Sequence, residues 1–188
     1  LVGLFALFFW TFDGLSFTAS RITMNDIFLT FWVVLAFYLF LNKQPVWQIA
    51  LVAGLALATK WSGIFTVGLL AVLWTVLRVR SKGRLREIIG GCITFLVIPP
   101  LVYIASYGQF FLQGHTIEQF RELHQQIWWY QNNLTATHPY QSTPLEWIFM
   151  MRPLYAFTQT TNGNVANIYL MGNPLLFWGG LVASIWVF

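Results

Sequence analysis

Charge is scarce in this sequence. Asp, Glu, Lys and Arg make up 9% of its 188 residues, against roughly a quarter in an ordinary soluble domain. Apolar side chains make up 57% and the mean hydropathy is +0.64. Too few charges are present to solvate a globular surface, and a membrane-embedded chain is indicated. Cysteine is nearly absent: Cys92 stands alone in an apolar run, so no internal disulfide forms and the redox compartment is unmarked. Missing too are a Gly-rich phosphate loop after a strand, a Gly-x-Ser-x-Gly elbow and any internal repeat. A soluble nucleotide-using catalytic domain is therefore not expected.

The charge that is present is sorted. The formal net charge is +4 and the pI is near 9.5, but Arg78, Arg80, Lys82, Arg84 and Arg86 crowd one short connection between apolar runs. That pattern marks a cytoplasmic loop rather than a nucleic-acid-binding face, so no nucleic acid partner is expected. The opening run has no basic n-region and no small-residue cleavage site, and it reads as the tail of a transmembrane span, not a signal peptide. Residue 1 is Leu1 and both ends fall inside apolar runs, so both are expected to be cut through helices.

The apolar runs predict an all-α integral membrane protein, a multi-span helical bundle with spans near 1–12, 26–42, 45–59, 62–77, 88–107 and 174–188. An external loop at 108–173 is expected to carry short interfacial helices. Residues 46–77 could form one long helix or two short ones joined at Lys60-Trp61-Ser62-Gly63. Two helices put Lys43 on the same side as the Arg78 to Arg86 cluster, as the positive-inside rule requires, and that is the reading adopted. Their shortness is accommodated by local thinning and snorkelling. Counting outward then places Asp13, Arg21, Asp26, Lys60 and the 108–173 segment on the external face. Charge at a membrane edge is costly, and its default reading is functional, with a partner.

Within the external segment, Thr116 and Gln119 form a candidate capping box ahead of a helix whose Ile117, Phe120, Leu123, Ile127 and Tyr130 share a face. Either this helix lies in the interface with Trp128 and Trp129 at the headgroups, or it packs on other extramembrane protein. Thr143-Pro144-Leu145-Glu146 supplies an N-cap, a proline at the first helical position and a returning carboxylate. A second helix should start there and end before Pro153. His138 and Tyr140 would stand just ahead of it and Arg152 at its far end.

Each polar group has a plain reading beside a functional one. Arg21 and Asp26, five residues apart, are a snorkelling arginine and a carboxylate at a helix start, or a pair at a site. Lys60 beside Trp61 is an interfacial anchor, or a point charge for a phosphate. His138 is held extended by Pro139, and Tyr140 adds a hydroxyl. His115, His124 and His138 have no zinc-site spacing, so no metal site is expected from this chain alone. Asn133-Leu134-Thr135 is a glycosylation sequon of a kind that arises often by chance. Pro99-Pro100 reads as a packing kink.

Taken in order, Phe12-Asp13-Gly14-Leu15, the run from Ser20-Arg21 to Asp26-Ile27-Phe28-Leu29, Lys60-Trp61-Ser62-Gly63, His138-Pro139-Tyr140-Gln141-Ser142, Arg152-Pro153 and Gly172-Asn173-Pro174 resemble the protein O-mannosyltransferases. These form glycosyltransferase family 39, membrane enzymes of the GT-C type, and the resemblance is to the bacterial branch. It implies transfer of mannose from a polyprenyl (dolichyl-type) phosphate mannose to Ser or Thr hydroxyls of secreted proteins, at the extracytoplasmic face of the plasma membrane. The lipid-linked sugar enters as substrate, no bound cofactor is implied, and the metal requirement is left open. The family's acidic Asp-Glu motif, which supplies the base, is expected upstream, so no catalytic residue is assigned in this chain and the chain by itself is expected to be inactive. Arg21 and Lys60 become candidates for the donor phosphate, with Asp26 beside them. His138 and Tyr140 become candidates for hydrogen bonding near the reaction centre, and Arg152 for a second cation or loop anchor. Two other readings are a GT-C transferase moving another lipid-linked sugar to a lipid or glycan, and a membrane transporter. The second lacks the repeated halves such proteins often show.

Overall fold

A computed structural model of the chain describes residues 1–22, 24–137 and 141–187. In chain order the elements are α1 (Val2–Thr11), α2 (Gly14–Arg21), α3 (Asn25–Leu41), α4 (Val46–Thr59), α5 (Gly63–Arg80), α6 (Leu85–Ser106), α7 (Gly108–Leu112), α8 (Ile117–Asn133), α9 (Pro144–Ile148), β1 (Leu154–Thr161), β2 (Asn164–Leu170) and α10 (Pro174–Val187). They fall into two compact units: Asn25–Leu134, and Leu1–Met24 with Thr135–Phe188.

The unit Asn25–Leu134 is built around α4, which packs against α3, α5 and α6. Its small residues make this possible. Ala50, Ala53 and Ala56 are fully buried, and a Cβ on Gly54 would lie 2.9 Å from the Pro99 Cα of α6. Helices that lack a solvent-driven hydrophobic force associate through such close backbone approach. Ile49, Leu70, Trp74 and Phe95 complete the core, with Trp74 filling the space over Gly91. The run 46–77 is divided into two helices by the extended backbone of Lys60. α6 continues through Pro99 and Pro100, with Pro99 buried.

Helices α5 and α6 are long and apolar enough to cross a membrane, while α3, α4 and α10 are apolar but shorter. The 22 residues of α6 extend about 33 Å against a hydrocarbon core of about 30 Å. Both expose large apolar side chains, Phe65 and Leu96 at 77% each.

The ends of α3 and α5 repeat one device. Gln44 N–H donates to Leu39 C=O and Lys43 N–H to Phe40 C=O; Gly83 N–H donates to Arg78 C=O and Lys82 N–H to Val79 C=O. These are paired Schellman closures, and the left-handed residue in each is a lysine, Lys43 and Lys82 at φ 54°. Glycine is usual there because a Cβ costs about 1 kcal/mol or more in that conformation.

In the other unit the expectation of an all-α chain does not hold. Residues 154–170 form an antiparallel hairpin in which Leu154 pairs with Leu170 and Thr161 with Asn164, with an irregularity between Tyr155 and Phe157. Asn162 and Gly163 both have positive φ, 52° and 80°, the turn an Asn-Gly pair favours between twisted strands. Tyr155 and Tyr169 join hydroxyls across it at 2.7 Å and Thr158 meets Asn167.

Candidate active site

Asp26 occupies the first turn of α3, where a carboxylate complements the helix dipole. Lys60 ends α4, and its Nζ donates to Asp26 Oδ1 at 2.7 Å. The two side chains are each nearly half exposed, 48% and 45%. In bulk water such a pair contributes at most about 1 kcal/mol, but at a membrane edge an unpaired charge is much dearer. An ammonium has three donors, so Lys60 can hold Asp26 and still offer hydrogen bonds to an anionic oxygen.

Directly after Lys60, the Trp61 indole N–H donates to the Tyr103 hydroxyl at 2.7 Å. That hydroxyl lies 2.7 Å from His124 Nε2 and 3.1 Å from the Tyr107 hydroxyl. His124 Nδ1 is 2.7 Å from Phe120 C=O. A carbonyl only accepts, so Nδ1 carries a proton and donates to Phe120 C=O, which leaves Nε2 facing the Tyr103 hydroxyl as its hydrogen-bond partner. Rings of Tyr107, Phe120 and His124 close around the chain of bonds. Through it α8 is held against the end of α6 by Phe120 and His124, while Ile117 and Tyr130 of the expected face remain exposed. His124→Phe should remove the hydrogen bond between α8 and the Tyr103 hydroxyl, which keeps Trp61 and Tyr107 as partners, at a cost of about 0.5–1.5 kcal/mol. It would be read as earlier thermal unfolding in detergent with faster amide exchange in α8, and His124→Gln, which keeps an acceptor, should lose less.

In the second unit Asp13 caps α2, taking Ser16 N–H on Oδ2 at 3.1 Å, and takes Asn173 N–H on Oδ1 at 2.9 Å. Both oxygens are thereby tied to backbone, joining the Asp13-Gly14 and Gly172-Asn173-Pro174 segments. Arg21, in the last turn of α2, lies 5.0 Å over the Phe17 ring. Arg152 donates from Nη1 to Gln141 C=O at 2.8 Å, with Nε 3.4 Å from Glu146 Oε1. Trp147 Nε1 donates to Ser142 Oγ at 2.7 Å. The segment Gln141-Ser142 is thus latched by Trp147 within α9 and by Arg152 after it. His138 and Tyr140 lie outside the described residues. Among the described residues no three His, Cys, Asp or Glu side chains converge to hold a metal ion.

Glu146 accepts Thr143 N–H at 2.6 Å. That amide, then the Thr143 hydroxyl, then Arg152 hold its carboxyl below the usual carboxylate range. A lowered pKa contributes stability that is complete above the ordinary value of 4.5 and is lost as pH falls through the folded-state value. The latch should therefore be insensitive to pH near neutrality and open in acid. Tryptophan quenching at Trp147 during an acid titration would show it, and Glu146→Gln should flatten that transition.

The sequence left Lys60 and Asp26 unpaired with each other, offered His124 only as a metal ligand to be set aside, and did not single out Tyr103 or Tyr107. The i,i+4 spacings of Tyr103 with Tyr107 and of Phe120 with His124 were the available signal.

The family model described as dolichyl-phosphate-mannose-protein mannosyltransferase matches residues 1–113, and that of the C-terminal four TMM region of protein-O-mannosyltransferase matches residues 116–188. The chain belongs to this family. It is 25% identical to the polyprenol-phosphate-mannose--protein mannosyltransferase of Mycolicibacterium smegmatis over 250 residues, covering 95% of this chain and 48% of that protein. The protein of the same name in Mycobacterium tuberculosis is 27% identical over the same extents. Dolichyl-phosphate-mannose--protein mannosyltransferase 1 of Saccharomyces cerevisiae is 34% identical over 62 residues, 33% of this chain and 7% of that one. The chain spans about half the length of the bacterial relatives it matches. No solved structure matches it. Between the two matched regions lie Gly114 and His115, and Gly114 has a φ of 89°. Arg21, Asp26 and Lys60 thus belong to the first matched region and Arg152 to the second.

Proposed function

We propose that this chain is part of an enzyme that transfers mannose from a polyprenyl phosphate mannose to Ser or Thr hydroxyls of secreted proteins at the external membrane face. The observation that carries the reading is the match of both mannosyltransferase family regions, in order, along the chain. The bacterial relatives, polyprenol-phosphate-mannose--protein mannosyltransferases, suggest the donor and acceptor class. The geometry of Asn25–Leu134 agrees with the proposed sidedness. The Asp26–Lys60 pair brings the start of α3 and the end of α4 to one end of the unit, and a shared groove brings Lys43 and Arg78 together at the other. In this reading α1, α3 to α6 and α10 are spans of a GT-C bundle, with the basic loops cytoplasmic.

The acceptor hydroxyl oxygen attacks the anomeric carbon, the bond from that carbon to the phosphate oxygen breaks, and the lipid phosphate departs with the electron pair. A carboxylate takes the hydroxyl proton. Asp13 is engaged by two backbone amides and Asp26 by Lys60, and neither is assigned as that base. Lys60 and Arg21 would neutralise the phosphate, the charge that grows as the bond breaks. His138 and Tyr140 would hydrogen-bond near the reaction centre, and Arg152 would hold the loop that presents them. The test is an assay of the full-length protein in proteoliposomes with labelled polyprenyl phosphate mannose and a Ser/Thr peptide. A mannosylated peptide, absent when its hydroxyl residues are Ala, is expected. Label appearing only on lipid or glycan would replace this reading with the other GT-C chemistry.

A further inference from the structure

Where α3 turns into α4, beside the end of α5, lies a groove of about 370 Å³ with Lys43 and Arg78 at its rim and Phe40, Ile49, Trp74 and Leu77 along its walls. Ile49 and Trp74 are buried, whereas Lys43, Leu77 and Arg78 are exposed, so apolar depth and a cationic mouth meet in one concavity. Among the described residues no acidic side chain lines it and neither cation forms an ion pair. The Arg78 guanidinium rests 5.4 Å over the Trp74 ring, which keeps it at the mouth. Lys43 is held left-handed at φ 54°, where glycine would be unstrained.

We propose that this groove binds an anionic phospholipid, with Lys43 and Arg78 on the headgroup phosphate and the Phe40, Trp74 and Leu77 surfaces along the acyl chains. A free phosphate would leave those apolar walls uncovered. Basic pockets between spans on the cytoplasmic side take such headgroups. The inference rests on the reading of these helices as membrane spans with their basic loops cytoplasmic, and is independent of sugar transfer.

Native mass spectrometry of the full-length protein, titrated in detergent with phosphatidylglycerol or phosphatidylcholine, tests it. The anionic lipid should bind more tightly, and Lys43→Gly, Lys43→Asn and Arg78→Gln should each weaken it about fivefold without changing phosphatidylcholine binding. Lys43→Gly should melt no lower than the parent, because it relieves the left-handed strain, so its loss of lipid cannot be ascribed to unfolding. Arg86→Gln, outside the groove, should leave the preference intact, and excess inorganic phosphate should not displace the lipid. Full preference in the Lys43 and Arg78 variants, an equal effect of Arg86→Gln, or displacement by inorganic phosphate would overturn the proposal. Failure of the parent to bind either lipid would overturn it together with the membrane reading.

Discussion

Lys60→Met should lower mannosyl transfer by about 100-fold or more, the scale on which removal of one preorganised group facing developing charge acts. The loss alone would not establish contact with the donor, because Lys60 also neutralises Asp26 at 2.7 Å. On the proposed membrane placement, removing the lysine leaves the Asp26 carboxylate uncompensated, which by itself disturbs the turn. The double variant Asp26→Asn/Lys60→Met separates the two roles. If the pair only ties α3 to α4, a neutral pair restores folding and activity together, as replacement of both partners often does. If the ammonium meets the lipid phosphate, the double variant folds as the parent and stays slow. Asp26→Asn alone is informative in the opposite direction: it leaves Lys60 charged and less neutralised, so donor affinity should hold or rise while the fold loosens. Recovery of parental rate in the double variant would remove Lys60 from the proposed phosphate site.

How much of this was legible beforehand depended on which interaction fixes each element. The break of 46–77 into two helices followed from charge sidedness, and the capping segments at Thr116 and Thr143 from local residue chemistry; both helix starts are where those residues put them. Local rules see neighbours within a turn. The Lys60 partner lies 34 residues away and the His124 partner 21, so neither pairing is written in spacing along one helix. The hairpin at 154–170 is a different case. Its Tyr, Phe and Thr residues and the Asn162-Gly163 pair are strong strand and turn signals, but they sit inside a segment whose capping motifs suggested a loop carrying only short helices. The motif around His138 was visible as sequence, while the contacts that shape its neighbours, from Arg152 to Gln141 and from Trp147 to Ser142, depend on how α9 ends.

The second large effect is expected at Gly63. A Cβ there would run into the Ala56 carbonyl and the Leu57 amide nitrogen, backbone atoms that cannot swing aside as a side-chain end can. Gly63→Ala should therefore cost about 3 kcal/mol, at the upper end of ordinary overpacking. Gly68, in the same helix α5, has no atom within 4 Å of its would-be Cβ, and Gly68→Ala should gain about 0.5–1 kcal/mol from helix propensity. The opposite signs of the two identical substitutions, read as thermal unfolding in one detergent, isolate the close approach from the propensity change. The same contact bears on function because only Lys60, Trp61 and Ser62 connect α4 to α5. Forcing the helices apart at Gly63 moves Lys60 relative to Asp26 and Trp61 relative to Tyr103, and a shift of about 1 Å in a positioned group can cost 100-fold in rate. Gly63→Ala should thus reduce transfer even at temperatures where the protein remains folded, with Gly68→Ala unaffected. A Gly63→Ala protein as stable and as active as the parent would show that the approach of α5 to the Ala56 peptide does not hold Lys60 in place.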